Sequence, residues 1–348
     1  MIKKRILHST SAQLIYQAAI EHGLEVNIES TRFNLFSIML RGQRVFIKGT
    51  NVPLNSQSSS LITHNKFLSK KIFKQNAILT PKSWLVPTIK KARELIIKRD
   101  IFPCVIKPID GAHGNDVYAN IETVEELDEV LNDFSKQPHD NILIEEHIIG
   151  VDYRILVIGN MISAVVERTP AHVIGDGKST IKELIKAFNK NPLIGKKHEK
   201  PMCKILINFE LTRTLKKSSL KLTSIVRQNK VVFLKQNANI SAGGISTDVT
   251  ADINQSSTEL AIRAARAIGM EFCGVDILYN KESNKSYVLE VNDCPGIDIH
   301  HFPVNGDSQN VAGDVIKYLV SKNAEKILPD DVLLPFENTD LNIVRQTN

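Results

Sequence analysis

The chain of 348 residues is short of several things, and each shortage removes a class of protein. Its four cysteines, Cys104, Cys203, Cys273 and Cys294, lie far apart with no CxxC pair among them. That spacing argues against a disulfide framework and a zinc site, and it suits a reducing, cytoplasmic setting. No apolar run approaches the roughly 18 residues of a membrane-spanning helix. The opening MIKKRILHST is charged but lacks the apolar stretch of a signal peptide, so no membrane partner is expected. Aromatic residues make up only 6%, so the excess of Lys+Arg (44) over Asp+Glu (38) is not interleaved with stacking side chains. A charge of +6 spread in this way reads as a mildly basic surface and not as a nucleic-acid face. Lysines placed for anionic small molecules would raise it equally well. Neither a solenoid repeat nor a low-complexity tract is present.

What remains is a globular composition, 42% hydrophobic and 24% charged, long enough for two or three domains at about 150 residues each. Residues 11–22 place Leu14, Ile15, Ala18 and Ala19 on one helical face, with Gly23 as a stop. Strands are expected over 33–40 and 45–48, and polar residues 55–60 read as a linker. A helix over 63–75 carries Lys66, Lys70 and Lys71 and ends before Pro81. Strands over 104–107 and 142–145 flank a glycine loop and a helix over 123–133. Then come strands over 153–158, 161–167, 204–209 and 231–234, and helices over 179–189 and 256–269. A hairpin pairs 273–279 with 286–292, and the tail from Ser321 reads as loosely held. Antiparallel hairpins between helices point to an α+β chain and not to a doubly wound parallel sheet.

Four stretches carry chemistry. An apolar strand ends in Lys107, and a loop with Gly111 and Gly114 follows at once. Glycines let backbone amides approach a phosphate, and the lysine adds a compact positive charge. Taken alone, the same stretch is also an ordinary strand end and turn. Next, Glu145 and Glu146 close a strand that turns at Gly150 and resumes with Asp152 and Arg154. This connector could meet an adenine edge and ribose hydroxyls, or be a surface hinge. Third, side chains two apart on a strand share a face, so Glu290 and Asn292 point together. A hairpin turn centred on Ser283 would set Asp276 opposite Glu290, with Ile277, Leu289 and Val291 on the other side. Two carboxylates in an apolar hairpin repel unless a cation lies between them, and oxygen donors alone suit Mg²⁺. The fourth stretch, Asn239 to Gly244, is a donor-rich loop able to close over developing negative charge. Residues 175–180, GDGKST, imitate the end of a P-loop, but the pattern needs glycine where His172 stands.

In this order the motifs resemble the ATP-grasp superfamily, above all the ATP-grasp module of cyanophycin synthetase and of the bifunctional glutathione synthetases. The likeness rests on VIKPIDGAHGNDV (105–117), IEEHIIGVDYRILVIGN (144–160), ERTPAHVIGDGKSTIKELI (167–185), LKQNANISAGGISTDVT (234–250), GVDIL (274–278) and LEVNDCPGIDIHHFP (289–303). It covers roughly residues 61 to 320. The resemblance implies an ATP-grasp fold, two α+β lobes sandwiching ATP, behind a small α/β domain over 1–60. The lobes would span 61–150 and 151–320, with a tail over 321–348. Lys66 and Lys107 would hold the ATP phosphates under a loop containing Gly111, His113 and Gly114. Glu145 with Glu146, His147 and Ile148 would form the adenine hinge, and Asp152 the ribose acid. Asp276, Glu290 and Asn292 would bind Mg²⁺, two ions, with Mn²⁺ as an alternative. Arg154 and Arg168 would face the acceptor carboxylate and transferred phosphoryl, and Lys235 would be a further catalytic residue. Lys235 stands where arginine is expected, which keeps charge and loses the guanidinium fork. Asn239, Ser241, Gly243 and Gly244 would close over the acyl phosphate, and His172 and Asp176 would lie near substrate.

The activity implied is ATP-dependent carboxylate–amine ligation, joining an amino acid or short-peptide carboxylate to an amine. A ligase adding an amino acid to a γ-glutamyl dipeptide and a catalytically silent ATP-binding protein are the alternatives. A homodimer is the candidate assembly. Neither the Mur-ligase-like half nor the glutamate–cysteine ligase half of the family's large members is present in these 348 residues.

Overall fold

The computed structural model describes residues 6–109, 117–195, 200 and 202–325. The N-terminal part is helix α1 (Thr10–Glu21) and an antiparallel sheet of β1 (Val26–Ser30), β2 (Leu35–Leu40) and β3 (Gln43–Lys48). Ser9 caps α1 by accepting from Ala12 N, and the buried stripe Leu14, Ile15, Ala18 and Ala19 is the face read from the sequence. Residues 55–60 are not a linker. Asn55 bonds both faces of the peptide backbone at Glu271 and Phe272, and α2 (Gln57–His64) starts at once under the Ser56 cap. Asn65, which caps α3 (Lys66–Gln75), breaks the helix expected over 63–75, whose first two residues belong instead to the end of α2.

A four-stranded antiparallel sheet follows, with order β4 (Ser83–Val86), β7 (Ile142–Glu146), β5 (Cys104–Pro108), β6 (Tyr118–Ile121). Helices α4 (Ile89–Arg99) and α5 (Val124–Phe134) cover one face, burying Ile96, Leu127, Val130 and Phe134 against Cys104, Ile106, Ile142 and Ile144. Alternation therefore turns Lys107, Leu143 and Glu145 to the opposite face.

The second large sheet has the order β14 (Ile245–Asp248), β9 (Met161–Thr169), β8 (Val151–Ile158), β15 (Phe272–Asn280), β16 (Lys285–Asn292). Odd-numbered residues of β8 (Tyr153, Ile155, Val157) face α8 (Gln255–Ile268) with Val275 and Ile277. Even-numbered residues face the other way. At one end Leu156 and Ile158 join α1, β2 and α10 (Val311–Glu325) in one core, so residues 6–52 and the last helix share packing with this sheet. The boundary expected at 321 falls inside α10.

Between β9 and β14 the chain makes a side unit: β10 (His172–Ile174), α6 (Ile181–Phe188), β11 (Ile194–Gly195), β12 (Met202–Cys203), α7 (Phe209–Lys217) and β13 (Val231–Phe233). Residues 204–209 are not the expected strand. Asn208 accepts from Leu211 N and starts α7 at Phe209, a local cap that a β-rich run conceals. Helix α7 is bonded to the four-stranded sheet. Arg213 reaches Glu126 (2.5 Å) and the Ala119 carbonyl (2.6 Å), and Lys217 reaches Glu122 (3.0 Å). A short helix α9 (Asp298–His301) packs beside β9 and β14.

Candidate active site

Asp276 is paired with Glu290 across β15–β16, as expected, but by a different route. The turn pairs Asn280 with Lys285 and Ile277 with Val288, a register that carried on would oppose Asp276 to Leu289. A bulge between Asp276 and Ile277 moves Glu290 into that place. Val288 and Val291 stay in the core with Ile277, while Leu289, expected beside them, is only half-buried.

The face so formed is charged. Asp276 lies between Arg154 on β8 and Glu290 on β16, and Asp152 lies opposite Arg168 on β9. Arg154 grips Asp276 through Nε and, at 3.1 Å, through NH2. Arg168 spans two acids, with NH2 2.6 Å from Asp152 and 3.0 Å from Asp276. Burial alone would raise the Asp276 carboxyl, but Arg154 and Arg168 outweigh it and hold Asp276 ionised. Burial raises Asp152, with Arg168 pulling against it. Two cations and two anions that lose water together must stay matched, since removing one strands another. Asn292 Nδ2 lies 3.4 Å from Glu290 Oε1, so these two point together.

A second cluster sits on the four-stranded sheet. Glu145 is 2% exposed and bridges Lys107 (2.8 Å) and Lys70 (2.9 Å). Burial pushes Glu145 up, yet the two ammonium groups overcome it and hold the carboxyl below its usual range. Burial lowers Lys70 despite Glu145, and Glu290 acts on the same ammonium, which links the two clusters electrostatically. Thr80 takes a hydrogen bond from Lys70 (2.9 Å) and donates to the Val288 carbonyl (2.7 Å).

Lys70 was not a predicted site residue. Lys66 was, and it opens α3 one turn earlier. The available signal was position: Lys70 lies three residues before the fully buried Phe73, on the same helical face, whereas a lysine in a charged run ordinarily reads as solvated. Gly111, His113 and Gly114 lie outside the described residues. Around the expected hinge, Glu146 N donates to the Lys82 carbonyl and His147 N to the Pro103 carbonyl, both at 3.0 Å. Ile148 N has no partner among the described residues. The Glu146 carboxylate turns to Lys82.

Asn239 caps the short turn Ile240–Ala242 by accepting from Ser241 N. Gly243 has φ +95°, and a Cβ on Gly244 would stand 2.9 Å from the Asn239 carbonyl and 3.0 Å from that of Thr169. Only glycine lets this loop lie so close to β9. Lys235 Nζ is 2.5 Å from Asn208 Oδ1, on the side of α7. His172 Nδ1 lies 2.9 Å from the Pro170 carbonyl. Asp176 closes a local turn, accepting from Lys178 N, Ser179 N and Ser179 Oγ, and those donors hold its carboxyl down at about 2.

Two antiparallel sheets, one presenting a Lys–Glu–Lys cluster and the other paired arginines and carboxylates beside a bulged acidic hairpin, define the ATP-grasp class. The model of the RimK-like ATP-grasp domain matches residues 63–183 and 224–319, and the chain belongs to that family. Residues 184–223, which include α7, lie outside the match. Glutathione biosynthesis bifunctional protein GshAB of Clostridium perfringens is 33% identical over 319 residues, 89% of this chain and 41% of that protein. Cyanophycin synthetase of Trichormus variabilis is 32% identical over 270 residues, 76% of this chain and 30% of that protein. In structure the chain resembles a bifunctional glutathione synthetase from Pasteurella multocida, with a TM-score of 0.63 and 27% identity over 90% of this chain and 43% of that one. The chain thus spans less than half the length of these relatives.

Proposed function

We propose that the protein is an ATP-dependent carboxylate–amine ligase that forms an amide bond through an acyl phosphate. The observation that carries the reading is the pair of clusters Lys70–Glu145–Lys107 and Arg154–Asp276–Arg168, with Glu290 paired to Asp276 across the hairpin and its charge felt at Lys70. Lys107 and Lys70 supply charge for ATP phosphates, with Lys66 and the 111–114 loop completing that grip. Ile148 N and the carbonyls of Glu146 and His147 serve as the adenine hinge, and Asp152 accepts from ribose. The division into a part before residue 61, two lobes and a C-terminal segment belongs to the same reading.

The donor set fits Mg²⁺, because Asp276, Glu290 and Asn292 offer only hard oxygens on one face. Both Asp276 oxygens are held by guanidinium groups, so Glu290 and Asn292 are the donors nearest to hand. When bound there, the metal would neutralise phosphate charge. Arg168 and Arg154 orient the acceptor carboxylate for in-line attack on the γ-phosphorus, and ADP leaves. The Asn239–Gly244 loop shields the acyl phosphate from water until an amine displaces phosphate. Positioning and charge neutralisation account for most of the first step.

Three independent members of the Mg²⁺ face are present, which favours a working enzyme over a silent nucleotide-binding protein. Incubating the protein with ATP, Mg²⁺ and panels of amino acids and short peptides tests the reading. Phosphate release that depends on both acceptor and amine, with a product heavier by the condensed amine, is expected. ADP formation indifferent to every acceptor would overturn it.

A further inference from the structure

The chain enters the four-stranded sheet at β4, just after Leu79 and Thr80 bond the Val288 backbone of β16. It leaves at the end of β7, where residues 147–150 lead into β8. Strands β4 and β7 are neighbours, so both crossings lie towards one edge of the sheet. The opposite edge is β6. A sheet attached along one edge can tilt about it unless the other edge is held.

Helix α7 holds it. Leu211 and Leu215 pack with Ala171 and Val173, which follow directly on the end of β9 that carries Arg168. Phe209, Arg213 and Lys217, spaced by four, share another face and meet the four-stranded sheet. The Phe209 ring lies 6.1 Å from that of Tyr118. Between Tyr118 and Ile121, β6 has one residue more than β5, and Asn120 there takes φ +55°. Ala119 and Asn120 present successive carbonyls, the first to Arg213 NH2 at 2.6 Å and the second to Lys217 Nζ. Arg213 is only 3% exposed, and it also holds Glu210 by two contacts of 3.0 Å and Glu126 at 2.5 Å. A planar fork with so many partners fixes an orientation as well as a distance. Ile121 pairs with Cys104 and Cys104 with Glu146, so this contact sits at the end of the sheet from which the chain leaves.

We propose that Arg213, supported by Lys217, is a positioning residue for phosphoryl transfer. It holds the far edge of the four-stranded sheet, so that Lys107 on β5 keeps a fixed separation from Arg154 and Arg168 on the second sheet. In-line attack tolerates little error, since a misplacement of about 1 Å can cost on the order of 10²-fold. The grip falls within three residues of the end of the 110–117 connection, so it also anchors one end of the glycine loop. Residues 209–217 lie in the segment 184–223, outside the matched family domain. The effect on turnover rests on the ligase reading, whereas the hold on the sheet does not.

Two measurements test it. Spin labels on Lys98→Cys in α4 and Lys281→Cys at the hairpin turn, both exposed, report the spacing of the two sheets by double electron–electron resonance. Cys294→Ser removes the exposed thiol, and Cys104, Cys203 and Cys273 are buried. The distance distribution should be narrow with Arg213 in place and should broaden or shift in Arg213→Gln. Removing Arg213 strands the buried Glu126 and Glu210, so Lys217→Gln serves as a second variant that leaves that network whole; it should change the distribution in the same direction. With the acceptor found by the panel, kcat of folded Arg213→Gln should fall by about 10–100-fold, with KM for ATP within about twofold of wild type. A role in folding alone would lower stability and leave both readouts of the folded protein unmoved. Superimposable distributions in all three proteins overturn the proposal, as does a kcat within about twofold of wild type in folded Arg213→Gln. If the distributions change in the variants while no acceptor stimulates phosphate release, the hold on the sheet stands and the ligase reading falls.

Discussion

Asp276 and Glu290 face each other only because Leu289 is the extra residue of a bulge. In an unbroken ladder the buried alternation Ser286, Val288 would continue to residue 290 and carry its carboxylate into the core against α8. The bulge reverses the side on which Glu290 and Asn292 emerge while Val291 remains packed.

Glu290→Gln keeps the shape of this face and removes one charge. Turnover should fall roughly 10²-fold, the scale of losing one preorganised electrostatic contact, with an unchanged circular dichroism spectrum. A variant that folds and turns over within twofold of wild type would show that Glu290 does not serve the reaction.

Glu145→Gln has a different signature, because it leaves Lys70 and Lys107 buried without their shared anion. A loss of about 3–5 kcal/mol in unfolding free energy is expected, measured by denaturant titration. In the wild-type protein the folded pKa of Glu145 is held below its usual value, so this stabilisation is present above about pH 4.5 and is lost as pH falls through the lower folded value.

Arg168→Lys keeps a charge but cannot span Asp152 and Asp276 with one planar fork. Acceptor-dependent phosphate release should drop about 10–100-fold, a change that steady-state kinetics would detect with the nucleotide saturating.

His301 supplies a pH-dependent element away from the charged face. Its Nε2 accepts from Ala312 N (3.0 Å) at the start of α10, which requires the neutral ring, and burial pushes its pKa down to about 4 from 6.5. The unfolded chain takes up the proton first, so stability is full above about pH 6.5 and declines as pH drops from there towards 4. The decline should be on the order of 2–3 kcal/mol. His301→Gln should flatten the profile over that window in urea titrations at successive pH values.

Much of this was legible in the sequence where local pattern and tertiary use agree. The face of α1, the strands carrying Lys107 and Glu145, and the Asp276–Glu290 pairing follow from periodicity and spacing. The pairing was reached with a turn centred one half-residue away, and the bulge corrected the difference. Three features were hidden for physical reasons. Caps at Ser56 and Asn208 turned a polar linker and an apparent strand into helix starts, because one side-chain bond to the backbone outweighs weak propensity over a few residues. Lys70 is buried only because Glu145, distant in sequence, comes to meet it. The hold of α7 on Glu122 and Glu126 joins segments about 90 residues apart, which no local pattern announces.

The central claim is that the acceptor carboxylate itself attacks the γ-phosphorus of ATP. Once the panel has identified a working acceptor, that compound can be prepared with ¹⁸O in its reacting carboxylate, and the phosphate released can be weighed by mass spectrometry. Transfer of one ¹⁸O atom into inorganic phosphate at each turnover is the predicted result. Phosphate that gains no label while amide product accumulates would contradict the acyl-phosphate route and the roles assigned to Arg154, Arg168 and the hairpin.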